Sequence, residues 1–142
     1  MEQANNKANM PPVQMKREPK LYVLGLIVAG ASIVANLIVW YFTRFLATDF
    51  LPLSVPPIII WTVLGTSLAL FVFKRTRKWS ATPRRSFLKI ALYALLVSFT
   101  PDVALVVFEV PGVTFGAVAA LMSMHVITFS IIVLVIGRYT KE

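Results

Sequence analysis

Two ionisable residues stand inside otherwise apolar stretches of this chain: Asp102, within "LLVSFTPDVALVV", and His125, within "ALMSMHVITFS". An isolated carboxylate in hydrocarbon costs at least about 2.5 to 3.5 kcal/mol, so such a group finds a partner or becomes neutral. A protonated imidazole beside an ionised carboxylate satisfies both groups, and so does a neutral pair sharing a hydrogen bond. Two chemistries are open to the pair: structural glue between helices, or a proton- or ligand-linked site. Pro101 adds a second element. It has no N–H, so it frees the carbonyl of Val97 four residues earlier and predicts a helix kink beside the acid.

Other site chemistries lack their residues. His125 is the only histidine and there is no cysteine. Neither a multi-histidine zinc site, a thiolate site nor bis-histidine haem ligation can be built within one chain, and no metal or cofactor is expected. There is no G-x-S-x-G elbow, no H-E-x-x-H pair and no glycine-rich phosphate loop, and the chain reads as a non-enzyme.

The elements that must position Asp102 and His125 are set by hydropathy. Of 142 residues 58% are hydrophobic and 14% charged, and the mean hydropathy is +0.78. The apolar residues come in four blocks near membrane-spanning length, so their solvent is lipid rather than one soluble core. Spans are predicted over about 21–42, 58–73, 86–110 and 113–137. Backbone groups in lipid must be satisfied within the segment, so each span is a helix. The fold class is an all-α, integral membrane four-helix bundle over 21–142, preceded by a flexible cytoplasmic tail over 1–20 whose composition offers little apolar surface to offset ordering entropy. The first block follows basic residues as a signal peptide would, but "IVANLIVWYF" carries it to a full span, and it is read as uncleaved. Pro52, Pro56 and Pro57 mark a loop before the second span, which is short for a perpendicular crossing.

Charge gives orientation. Lys7, Lys16, Arg17 and Lys20 precede the first span; Lys74, Arg75, Arg77, Lys78, Arg84 and Arg85 form a basic loop between the second and third; Arg138 and Lys141 follow the fourth. Lys89 can snorkel to the same side, and only Arg44 lies opposite. This asymmetry places both termini and the basic loop in the cytoplasm. It also accounts for the net charge of +8 through the lipid bilayer and its anionic inner-leaflet headgroups, without nucleic acid, for which no stacking or groove-reading pattern is present. Asp49 and Glu109 are expected at the outer surface, with Arg44 an available partner worth little there.

Small and weakly polar residues at spacings of three and four predict where helices meet. They are Gly25, Ala29, Ser32 and Asn36 in the first span, and Thr62, Thr66 and Ala69 in the second. The third contributes Ala91, Ser98, Asp102 and Glu109. The fourth carries two stripes, Thr114–Ala117–His125–Thr128 and Gly116–Ala120–Ser123–Ser130, so it is either central in the monomer or meets another subunit. At about 1.5 Å per residue, Asp102 lies about 15 Å and His125 about 20 Å below the turn at Gly112. Asn36 and Thr66 come roughly 9 to 12 Å inward from their own helix ends. A single polar layer of Asn36, Thr66, Ser98, Asp102 and His125, drawing on all four helices, is therefore an expectation.

The run "PRRSFLKIALYALLVSFTPDVAL" through "GVTFGAVAALMSMHVITFSIIV" resembles a group of small bacterial four-span proteins, domain of unknown function 6069. In that group a basic loop precedes a span with a central serine, and a Met-His pair lies in the final span. Ser98 and the Met124–His125 pair match those features. The likeness covers roughly residues 54 to 137. It implies the four-span architecture and a multi-pass location in a bacterial plasma membrane, and it singles out His125 without a catalytic role. Asp102 stands where the group leads one to expect an apolar or glycine-containing stretch.

With short loops and no catalytic template, the leading functional reading is a structural, accessory or partner-binding membrane protein, acting as a homo-oligomer or with another membrane protein. One alternative is an oligomeric small-molecule or proton-linked transporter using Asp102 and His125. No repeat relates the two helix pairs, which argues against an inverted-repeat transporter within one chain. A further alternative is a lipid- or quinone-binding protein.

Overall fold

A computed structural model describes residues 21–46 and 50–139. The predicted N-terminal tail, Asp49 and Lys141 lie outside the described residues. Four helices follow one another: α1 (Leu21–Thr43), α2 (Val55–Trp79), α3 (Pro83–Val107) and α4 (Phe115–Tyr139). All four are long and apolar enough to cross a membrane, and no strand occurs among the described residues. The chain is a multi-pass membrane protein with an all-helical fold.

The helices run alternately up and down. One apolar cluster joins Leu24 and Val28 of α1, Phe73 of α2, Phe87 of α3, and Ile132 and Ile136 of α4. A second joins Ile58, Ala117, Ala120 and Met124 with Phe50 and Leu53 of the α1–α2 connection. The start of α1 thus meets the end of α2, the start of α3 and the end of α4. This end of the bundle also carries Lys74 to Lys78, Arg84, Arg85 and Arg138, and is called the basic end below; the other is the loop end. Phe73 and Phe87 anchor the basic end edge to face, 5.3 Å between centroids, the geometry the ring quadrupoles favour. Large apolar side chains such as Leu26, Leu68, Tyr93 and Val97 face outward, as lipid allows and water does not.

The second span departs from the sequence expectation. It covers 25 residues, Val55–Trp79, or about 37 Å, and needs no thinned bilayer. Pro56 and Pro57 do not end it; they sit in its first turn, where a missing N–H breaks no intrahelical bond. At its other end the helix continues through Lys74, Arg75, Arg77 and Lys78. Cations near a helix C-terminus are favoured by the macrodipole, and Lys and Arg are good helix formers. The predicted basic loop is therefore mostly helix. Only residues 80–82 connect α2 to α3, and Arg84 and Arg85 fall in the first turn of α3. Ser80 ties this turn down: its hydroxyl lies 2.7 Å from that of Ser86 and accepts the Thr82 N–H at 3.2 Å.

The third and fourth spans are bounded by their caps rather than by hydropathy. Helix α3 ends at Val107, not Val110, because Glu109 takes a left-handed backbone with φ 48°. The Glu109 N–H donates to Val106 O at 3.1 Å and the Val110 N–H to Leu105 O at 3.1 Å. These are the paired bonds of a Schellman ending, with a non-glycine in the position glycine prefers. Helix α4 starts at Phe115 because the Thr114 hydroxyl accepts the Ala117 N–H at 3.0 Å, an N-cap that satisfies one of the orphan donors of the first turn.

Candidate functional site

Between the two apolar clusters lies a polar layer, and it has two parts. In the first, Asn36 of α1 donates through Nδ2 to the hydroxyls of Thr62 on α2, at 2.9 Å, and Thr128 on α4, at 3.0 Å. One amide thus ties three helices. Asn36 and Thr62 are buried, and Thr62 passes its own proton to Ile58 O at 2.6 Å, so its hydroxyl is used as both donor and acceptor.

The second part is Asp102 on α3 and His125 on α4. His125 Nε2 lies 3.3 Å from Asp102 Oδ2. That is close enough for a charge pair, but Asp102 Oδ2 makes no aligned hydrogen bond, so the contact is one of proximity rather than of a directed bond. The two side chains differ in surroundings: Asp102 is 8% exposed and His125 38%. The imidazole therefore shields the carboxylate while part of its own ring faces out of the bundle. Phe99, one turn before Asp102, flanks it at 6.4 Å between ring centroids. His125 and Thr128 are three residues apart on α4, hence on one face, and this links the two parts into a layer touching all four helices.

Sequence reasoning placed Asn36, Thr66, Ser98, Asp102 and His125 at one depth; of these the structure brings Asp102 and His125 together, while Thr66 and Ser98 bond within their own helices. Thr66 is buried, but its hydroxyl returns to Thr62 O at 2.8 Å and Val63 O at 3.1 Å. Ser98 likewise donates to Leu95 O at 2.7 Å. Neither reaches Asp102, His125 or Asn36 by a hydrogen bond. Thr62, one turn from Thr66 on the same stripe, makes the contact instead. Pro101 lies within an unbroken α3. The cluster of Asn36, Thr62 and Thr128 was visible only as separate stripe members; the signal for their meeting was that each lies on a face of small and polar residues within its span.

Among the described residues, three buried side-chain polar atoms have no hydrogen-bond partner: Ser32 Oγ, Asn36 Oδ1 and Asp102 Oδ2. Ser32 and Asn36 are one turn apart on α1, so two of the three lie on the same helix face. On the fourth helix, Ser123 and Ser130 are exposed and return their hydroxyls to Ala119 O and Val126 O. The second small-residue stripe of α4 therefore presents no unmet polar demand there. At the loop end Arg44 stacks over Tyr41, 4.7 Å from the ring centroid, and more loosely over Trp40 at 5.9 Å. Arg44 is thus engaged with aromatic faces; Asp49, one of the carboxylates to which it was an available partner, lies outside the described residues. Among the described residues no three His, Cys, Asp or Glu side chains gather as a metal ligand set.

The sequence model of a family of unknown function, DUF6069, matches residues 16–142. The match takes in α1, beyond the 54–137 region whose motifs carry the resemblance. No curated protein and no solved structure matches the chain.

Proposed function

The chain belongs to DUF6069, a family of unknown function, and from that premise we propose that it is an accessory or partner-binding membrane subunit, not an enzyme, whose α3–α4 face receives a helix of another chain. The observation that carries this reading is the 38% exposure of His125 in the middle of a spanning helix. An ionisable side chain turned toward hydrocarbon is costly, and such residues ordinarily face protein or a wet cavity. A partner helix offering a hydroxyl or carbonyl to the outer edge of the imidazole removes that cost. Helix α3 supports the same view: Phe87 and Asp102 are its buried residues, while Leu92, Tyr93, Leu96, Val97 and Val103 are exposed along its outer side. The excess of Lys and Arg at the basic end supports an orientation with both termini in the cytoplasm, and a bacterial plasma membrane is the location proposed.

The chain has no cysteine, so an introduced thiol is unique. Phe99→Cys and Met122→Cys, beside His125, should give cross-linked adducts in native membranes with a short thiol-directed photoprobe. The yield should fall when His125→Ala is added. Leu64→Cys and Leu68→Cys on the outer side of α2 should give much less. Equal yields from both faces, or yields indifferent to His125, would sink the reading.

The 3.3 Å contact of Asp102 with His125 favours a second reading, proton-linked transport by an oligomer. In proteoliposomes Asp102→Asn and His125→Ala should then abolish a pH-dependent flux. If both variants lose only thermal stability, the pair is structural.

A further inference from the structure

The end of α2 brings three cations together on its lipid-facing side. Phe71, Lys74, Arg75 and Lys78, at spacings of three, four and seven, line a shallow groove of about 240 Å³. Its wall is almost entirely apolar, made by Phe71 and the aliphatic stems of the three cations, so the groove takes hydrocarbon while the charged ends of the stems remain for a headgroup beside it. All four are exposed.

Two further features say what fits. The first is charge. The only carboxylates among the described residues are Asp102, in the second half of α3, and Glu109, just beyond its end; both stand toward the loop end, so neither neutralises this groove. The second is the surface leading to it. Trp61, Leu64, Leu68 and Phe71 form an exposed apolar stripe along the same side of α2. Gly65 interrupts it with open space, since a Cβ there would meet nothing within 4 Å. A polar anion needs only the three cations. A molecule that also uses the stripe must be amphiphilic, with an anionic head at the helix end and an apolar tail running toward mid-membrane.

We propose that Lys74, Arg75 and Lys78 form a discrete site for the headgroup of an anionic glycerophospholipid, whose acyl chain lies along Phe71, Leu68 and Leu64. The ammonium and guanidinium groups make charge-assisted bonds to the phosphate, and Arg75 offers two parallel donors where each lysine offers a point charge. The site is independent of any role for His125.

The test measures retention of dioleoylphosphatidylglycerol against dioleoylphosphatidylcholine by the full chain in detergent, by native mass spectrometry and by lipid-dependent thermal shift. A basic residue near an anionic surface contributes roughly fivefold, so the three together give roughly a hundredfold preference for the anionic lipid. Lys74→Gln with Arg75→Gln and Lys78→Gln should abolish the preference. The control, Arg84→Gln with Arg85→Gln and Lys89→Gln, removes the same charge from α3 and should leave it within about threefold of the parent, as expected for a local contact rather than a diffuse field. Phe71→Ala should weaken binding of the anionic lipid, and inorganic phosphate should fail to displace it. Equal loss in both triple variants, equal retention of the two lipids, or displacement by phosphate alone overturns the proposal. Where the triple variant does not fold, Arg75→Gln alone carries the same test, with roughly fivefold weakening expected.

Discussion

Asn36 and Ser32 sit one turn apart on the buried face of α1, yet their removal should move stability in opposite directions. Asn36 makes two interhelix hydrogen bonds, at 2.9 and 3.0 Å. Side-chain bonds between membrane helices average about 0.6 kcal/mol and reach about 1.7, so the pair contributes about 1.2 kcal/mol with a ceiling of about 3.4. Asn36→Ala also leaves a small void, while removing the unpaired Asn36 Oδ1 returns part of the cost, and a net loss of up to about 2 kcal/mol is expected. Ser32 is fully buried and its hydroxyl has no partner. A buried unpaired polar group carries an uncompensated desolvation cost, so Ser32→Ala should leave stability unchanged or raise it by up to about 1 kcal/mol. The assay is reversible unfolding in mixed micelles by titration with sodium dodecyl sulfate, followed by tryptophan fluorescence and circular dichroism. Double-mutant cycles of Asn36→Ala with Thr62→Val and with Thr128→Val isolate each bond, because the bond from Thr62 to Ile58 O cancels in the cycle. Coupling indistinguishable from zero in both cycles, or a Ser32→Ala loss above about 1 kcal/mol, would refute the reasoning.

The packing of α1 on α2 is close at Gly25, where a Cβ would come within 2.8 Å of Leu70 Cδ1, whereas Gly30 has nothing within 4 Å. Gly25→Val should therefore push aside the end of the flexible Leu70 side chain, at a cost of up to about 1 kcal/mol, while Gly30→Val stays within about 0.5 kcal/mol, both read by the same titration. Glu109 holds φ 48° in the position glycine prefers, so Glu109→Gly should stabilise the α3–α4 connection by up to about 1 kcal/mol, seen as a raised midpoint. Pro57 lies in the first turn of α2, where its lost donor matters little, and Pro57→Ala should shift the midpoint by less than about 0.5 kcal/mol.

How much of this was legible in the residues varies from element to element, for physical reasons. The four spans and the membrane class follow from hydropathy, which sums over some twenty residues and tolerates errors at any one. Helix ends do not average in this way. Pro56 and Pro57 read as a breaker because their cost depends on whether a turn precedes them, and Lys74 to Lys78 read as a loop because charge marks an interface without saying whether the backbone stays helical. The early stop of α3 rests on the backbone of Glu109, a residue whose type gives no warning of a left-handed conformation.

The candidate site divides along the same line. That Asp102, His125 and Asn36 are costly in lipid, and lie deep within spans, was decided by the sequence alone, because depth is residue count multiplied by helix rise. Which hydroxyl meets Asn36, and which way His125 faces, was decided by tertiary structure. A helix advances 100° per residue, so small changes in rotation or stagger exchange Thr66 for Thr62 and turn an imidazole from the interior toward lipid. Those angles are fixed by the fit of neighbours such as Gly25 against Leu70, contacts between residues far apart in the chain that no local pattern encodes.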